Sequence, residues 1–118
     1  MHGHEAQWRA YVEVNRAFAD EVLKTHSPGD IVFVHDYHLM LVPQMLRAAE
    51  PSMRIGWFLH VPFPPEQLWR ALPTRRQLLE ALLAADVVGF HTQEYARNFA
   101  QACTRLMGYT PLQASRSV

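Results

Sequence analysis

The sequence predicts an α/β fold built on a parallel sheet with flanking helices. Three observations predict it. Short apolar runs at residues 31–34, 53–60 and 86–90 are rich in β-branched and aromatic residues, as buried strands are. The segments between them carry helical periodicity, and strands that alternate with helices pair in parallel. Finally, 49% of the 118 residues are hydrophobic, enough to build a core.

Each element has its own local signals. In residues 5–25 Trp8, Tyr11, Val12, Phe18 and Val22 recur at spacings of three and four or their sum, which predicts an amphipathic helix. The turn residues "SPGD", 27–30, stop it. Ile31–Val34 is expected to be a strand buried on both faces. A second helix starts near Val42, with Pro43 in its first turn and Pro51 past its end. Residues 53–60, "MRIGWFLH", form the second strand. A proline-rich turn follows, then a short helix led by Pro65 and Glu66 and closed by Pro73. Thr74 and Gln77 have capping-box spacing for another helix, with Leu78, Leu79, Leu82 and Leu83 inward. "DVVGF", 86–90, is the third strand. Thr92 caps the last helix, whose stripe is Tyr95, Phe99, Ala102, Cys103 and Leu106, and Gly108 ends it. The domain is placed at 5–108, with an irregular tail at 109–118. Three strands are few for a sheet covered on both faces, so the chain reads as part of a larger Rossmann-like domain.

Composition narrows the function. Lys plus Arg and Asp plus Glu are 11 each. A net charge of zero removes the broad electrostatic case for nucleic acid or a membrane surface. No apolar run approaches the roughly 18 residues of a membrane span. Cys103 is the single cysteine, so no internal disulfide forms and a reducing, cytoplasmic setting is expected.

All three strands run into a histidine: His35, His60 and His91. In an open parallel sheet the C-terminal strand ends share one edge, where ligands bind. His35, Asp36, His38, His60 and His91 are therefore expected near a single edge. A lone strand-end histidine is commonly a hydrogen-bonded structural group, and that reading stands beside the functional one. The spacing of His35 and His38 also admits a metal site, but no further carboxylate is placed to complete it. Arg75 and Arg76 read as a solvated helix face rather than a phosphate clamp. Trp57, Trp69 and Cys103 read as core. There is no G-x-G-x-x-G, no P-loop and no nucleophile elbow.

"WRAYVEVNRAFAD", "VHDYHLMLVPQMLR" and "IGWFLHVPFPPEQLWRALPTRRQLLEALLAADVVGFHTQEYARNF" together resemble trehalose-6-phosphate synthases, from about Trp8 to about Gly108. These are retaining glycosyltransferases with two Rossmann domains. The resemblance implies transfer of glucose from a nucleotide-glucose such as UDP-glucose to glucose 6-phosphate, without metal or cofactor. By the matching positions, Asp36 binds the acceptor hydroxyls. His60 faces the donor glucose near the reacting carbon, and Val61 helps select the acceptor anomer. Tyr37 and His38 belong to the same signature as supporting substrate-binding residues. Glucosylglycerol-phosphate synthases share similar motifs and stay open, as does a non-catalytic module that binds sugar phosphate or a partner chain. The partners implied are glucose 6-phosphate and a nucleotide-glucose, with no nucleic acid and no membrane, and a homo-oligomer is one expectation. Family members are several times this long. The expectation is thus a partial N-terminal domain of a two-domain enzyme, an internal fragment inactive by itself.

Overall fold

The computed structural model describes residues 2–63 and 73–107. Helix α1 (His2–Thr25) leads to β1 (Ile31–His35), a 3-10 turn (Tyr37–Leu39), α2 (Val42–Ala49), β2 (Arg54–Leu59), α3 (Arg75–Leu83), β3 (Val87–Phe90) and α4 (Gln93–Met107). The strands form one parallel sheet in the order β1-β2-β3. Phe33 lies opposite Gly56, and Gly56 opposite Val87. Parallel neighbours need long crossovers, and the helices provide them.

Local chemistry ends and starts the elements where the sequence predicts. After α1, Gly29 takes the left-handed region (φ 89°) and the Asp30 carboxylate accepts the Ser27 N–H at 2.8 Å. Pro43 stands in the first turn of α2. Thr92 Oγ1 accepts the Tyr95 N–H at 3.1 Å and so caps α4. Thr74 differs from expectation. It precedes α3 without a side-chain cap bond and is buried instead. The short helix led by Pro65 and Glu66, Trp69, the Gly108 stop and the tail at 109–118 lie outside the described residues.

The helices pack on one face of the sheet. That face carries Val34, Ile55, Trp57, Leu59, Val88 and Phe90, which join Leu46, Leu79, Leu82 and Phe99 in the core. Phe63, Phe90 and Phe99 form a mutual aromatic cluster with centroids about 5.5 Å apart. Cys103 is fully buried there, and burial pushes its thiol up to about 12, far from a reactive thiolate.

Two expectations about burial are corrected. Strand β1 is not buried on both faces: Ile31 is 57% and Phe33 60% exposed, while Val34 is buried. Burying the second face needs a layer on that side, and the described helices lie on the other. On this open face the Phe33 ring lies over Gly56 and the Phe58 ring over Gly89. A Cβ on either glycine would stand within 2.6 Å of a ring carbon. Phe18 is likewise exposed rather than inward, and Asn15 and Ala19 take the fully buried positions of α1.

At the opposite end of the sheet from the histidines, Asp86 closes the β2–β3 pair. Its Oδ2 accepts the Ile55 N–H at 2.8 Å, and Arg47 approaches it at 3.0 Å. Among the described residues, no helix is long and apolar enough to cross a membrane.

Candidate functional site

The C-terminal edge of the sheet begins at Asp36. Its backbone has φ 69° and ψ 166°, a region that residues other than glycine rarely occupy. The surrounding bonds hold it there. The Asp36 N–H donates to the Phe58 carbonyl at 3.0 Å, and its Oδ1 accepts the His60 N–H at 3.1 Å. The strained residue thus stitches the end of β1 to the end of β2. It leaves the second carboxylate oxygen, Oδ2, with lone pairs for a ligand.

The three strand-end histidines meet, as the topology requires. His35 Nδ1 lies 2.9 Å from His60 Nε2, and His91 Nε2 lies 3.3 Å from His60 Nδ1. All three are exposed. Among the described residues, no three His, Cys, Asp or Glu side chains are grouped to hold a metal ion. His35 and His91 engage opposite nitrogens of His60, so they do not converge on one point. The predicted signature residues divide. Tyr37 and His38 stack on each other with centroids 4.2 Å apart, while Tyr37 and Val61 line a neighbouring cavity.

That cavity, about 440 Å³, is walled by Trp8, Tyr11, Tyr37, Trp57, Val61 and Phe63 among others. Its lining contains no cation among the described residues. It suits the apolar face of a ring better than a phosphate. Asn98 of α4 donates to the Phe63 carbonyl at 3.1 Å and fixes the wall that follows β2.

Tyr11 and Asn15 brace the turn that carries Tyr37 and His38, a role the periodicity of α1 alone does not show. Tyr11 Oη donates to the Tyr37 carbonyl at 2.7 Å and accepts the Met40 N–H at 3.0 Å. Asn15 Nδ2 donates to the His38 carbonyl at 3.0 Å, and Asn15 Oδ1 accepts the Leu41 N–H at 3.0 Å. Together they satisfy the backbone of the turn that carries Tyr37 and His38. Burial raises the Tyr11 phenol above its ordinary value, against the lowering pull of its bonds with Met40 and Asn15. The hydroxyl therefore keeps the proton it donates. A signal was present: Asn15 lies four residues from both Tyr11 and Ala19, on the inward stripe where a polar side chain needs a partner.

With this geometry established, comparison with known proteins decides the family. All of residues 1–118 match the profile of glycosyltransferase family 20. The chain belongs to this family. It is 50% identical over 104 residues to alpha,alpha-trehalose-phosphate synthase [UDP-forming] 1 of Arabidopsis thaliana, a match that covers 88% of this chain and 11% of that protein. Among solved structures, trehalose-6-phosphate from E. coli bound with UDP-2-fluoro glucose matches with a TM-score of 0.84 and 35% identity. It covers 94% of this chain and 27% of that one. The alpha,alpha-trehalose-phosphate synthase (UDP-forming) of Burkholderia xenovorans in complex with glucose-6-phosphate has a TM-score of 0.79 and 40% identity, over 83% of this chain and 21% of that one. The α/β reading and the family resemblance are thereby established. The chain spans roughly a tenth to a quarter of these relatives' lengths.

Proposed function

We propose that this chain forms the sugar-binding edge of a UDP-forming trehalose-phosphate synthase, which transfers glucose from UDP-glucose to glucose 6-phosphate. The observation that carries the reading is Asp36. A strained aspartate, bonded across to the His60 backbone at the ligand edge of a parallel sheet, marks a functional position. In this reading the Asp36 carboxylate accepts hydrogen bonds from acceptor hydroxyls. His60 faces the donor glucose, Val61 selects the acceptor anomer, and Tyr37 and His38 shape the turn. The acceptor oxygen forms its bond to the donor C1 on the face from which the diphosphate leaves. The leaving phosphate oxygen takes the acceptor proton, and the configuration is retained. The protein positions both sugars and stabilises charge, and needs neither a glycosidase-type carboxylate pair nor a metal. A cytoplasmic location belongs to the same proposal, supported by the single, buried Cys103.

The test is a chimera in which residues 2–107 replace the matching segment of the Arabidopsis relative, assayed for UDP release with UDP-glucose and glucose 6-phosphate. Activity is expected, with a loss on the order of 100-fold or more in Asp36→Ala and in His60→Ala. A folded chimera whose activity ignores both substitutions would refute the assignment.

A further inference from the structure

His60 is the middle member of a chain of three imidazoles. Its Nε2 lies 2.9 Å from His35 Nδ1 and its Nδ1 lies 3.3 Å from His91 Nε2. The ring centroids are 5.0 and 5.4 Å from those neighbours. The Phe58 ring, seated over Gly89, touches both His60 and His91 with centroids at 4.8 and 5.5 Å. A neutral imidazole has one N–H and one lone pair. Placed between two ring nitrogens, neutral His60 must donate to one neighbour and accept from the other. The position of its proton is therefore coupled to the tautomers of His35 and His91, unlike that of a solvated histidine.

We propose that His35 and His91 are positioning residues that fix the tautomer and ring orientation of His60. The shorter contact, to His35, holds the ring. The longer contact, to His91, is the weaker of the two, so a ligand that displaces it meets a ring still held by His35. Setting the second nitrogen of a functional histidine through a neighbour is a general way of fixing which nitrogen carries the proton. The purpose assigned to the chain of imidazoles rests on the proposed function. Its existence does not, and it is measured without sugar.

The test uses the 118-residue chain labelled with nitrogen-15 in its histidines, near about pH 8.5, where ordinary imidazoles are neutral. In the unsubstituted chain His60 is expected to show one protonated and one lone-pair nitrogen. In His35→Phe or His91→Phe, the two nitrogen signals of His60 should move toward each other as the tautomers mix. His35→Asn or His91→Gln, which keep a donor and an acceptor, should restore the separation. Averaged signals in the unsubstituted chain, or no change in either Phe variant, would overturn the proposal. Should the variants not fold, the unsubstituted chain decides. A nitrogen–nitrogen coupling across the His35–His60 bond supports the proposal, and its absence overturns it. An active chimera without the tautomer lock would remove this inference alone. A locked His60 in an inactive chimera would remove only the proposed function.

Discussion

Asp36 shows what a single residue contributes here. Its φ of 69° with ψ of 166° costs on the order of 1–3 kcal/mol for a residue with a side chain. The His60 N–H bond to its carboxylate returns about 1 kcal/mol. Asp36→Gly removes both. We expect it to leave the chain as stable or about 1 kcal/mol more stable in urea unfolding, while the chimera loses activity. A drop of more than 1 kcal/mol would show that the carboxylate bond outweighs the strain. Asn15 should behave in the opposite way. Asn15→Ala strands the Leu41 N–H and the His38 carbonyl. One buried and one partly buried group without partners cost about 2–4 kcal/mol, which would appear as a shift of the urea midpoint. Asn15→Asp, which keeps the acceptor alone, should cost less only if the Leu41 bond dominates.

At the scale of elements, two ion pairs tie neighbours together and respond to pH in opposite directions. Between β2 and β3, the Ile55 N–H bond holds the Asp86 carboxyl below its ordinary value. Arg47 adds to this, and both act against desolvation. A lowered folded-state value gives stability that is present above the unfolded carboxylate pKa of about 4 and lost as the pH falls below it. Between α1 and α2, desolvation pulls the His26 imidazolium down. The hydrogen bond to Glu50 at 2.6 Å and the one to the Val22 carbonyl outweigh it, so His26 is raised. Its stabilisation is full below the unfolded histidine pKa of about 6.5 and is lost as the pH rises through the folded value. Asp86→Asn should therefore flatten the acid limb of a stability–pH curve, and His26→Gln should flatten the decline above the ordinary histidine value. Both side chains of the Arg47–Asp86 pair are partly solvated, so each effect is expected to be modest. Curves for both variants parallel to the wild type would refute the linkage.

At the scale of the whole molecule, the dominant feature among the described residues is a sheet face that no described helix covers. Ile31, Phe33 and Val87 are each at least half exposed on it. A contiguous apolar face of this kind favours association, which is the physical basis for proposing a homo-oligomer of the isolated chain. Light scattering should show a mass that grows with concentration, and Phe33→Lys should lower it. A monomer mass at all concentrations would count against this. The same face explains a misreading. From residues 31–34 alone, an uninterrupted apolar run is indistinguishable from a strand covered on both sides. Which side is covered depends on where helices distant in sequence come to rest. Phe18 departs from its helical pattern for a related reason. Its spacing from Val22 suits the stripe, but packing runs the inward line of α1 through Asn15 and Ala19, and Asn15 reaches the turn.

The sequence by itself determined the alternation of strands and helices, the turn at 27–30, the Thr92 cap and the shared edge of His35, His60 and His91. These follow from local propensity and from the rule that parallel strands end on one side. Only the tertiary structure decided that Asp36 is strained and bonded across to His60, and that Tyr11 and Asn15 hold the turn from α1. It also decided that the three imidazoles join through opposite nitrogens of the middle one. Those facts depend on hydrogen bonds between groups some 23 to 31 residues apart, and no local pattern encodes a distance across the fold.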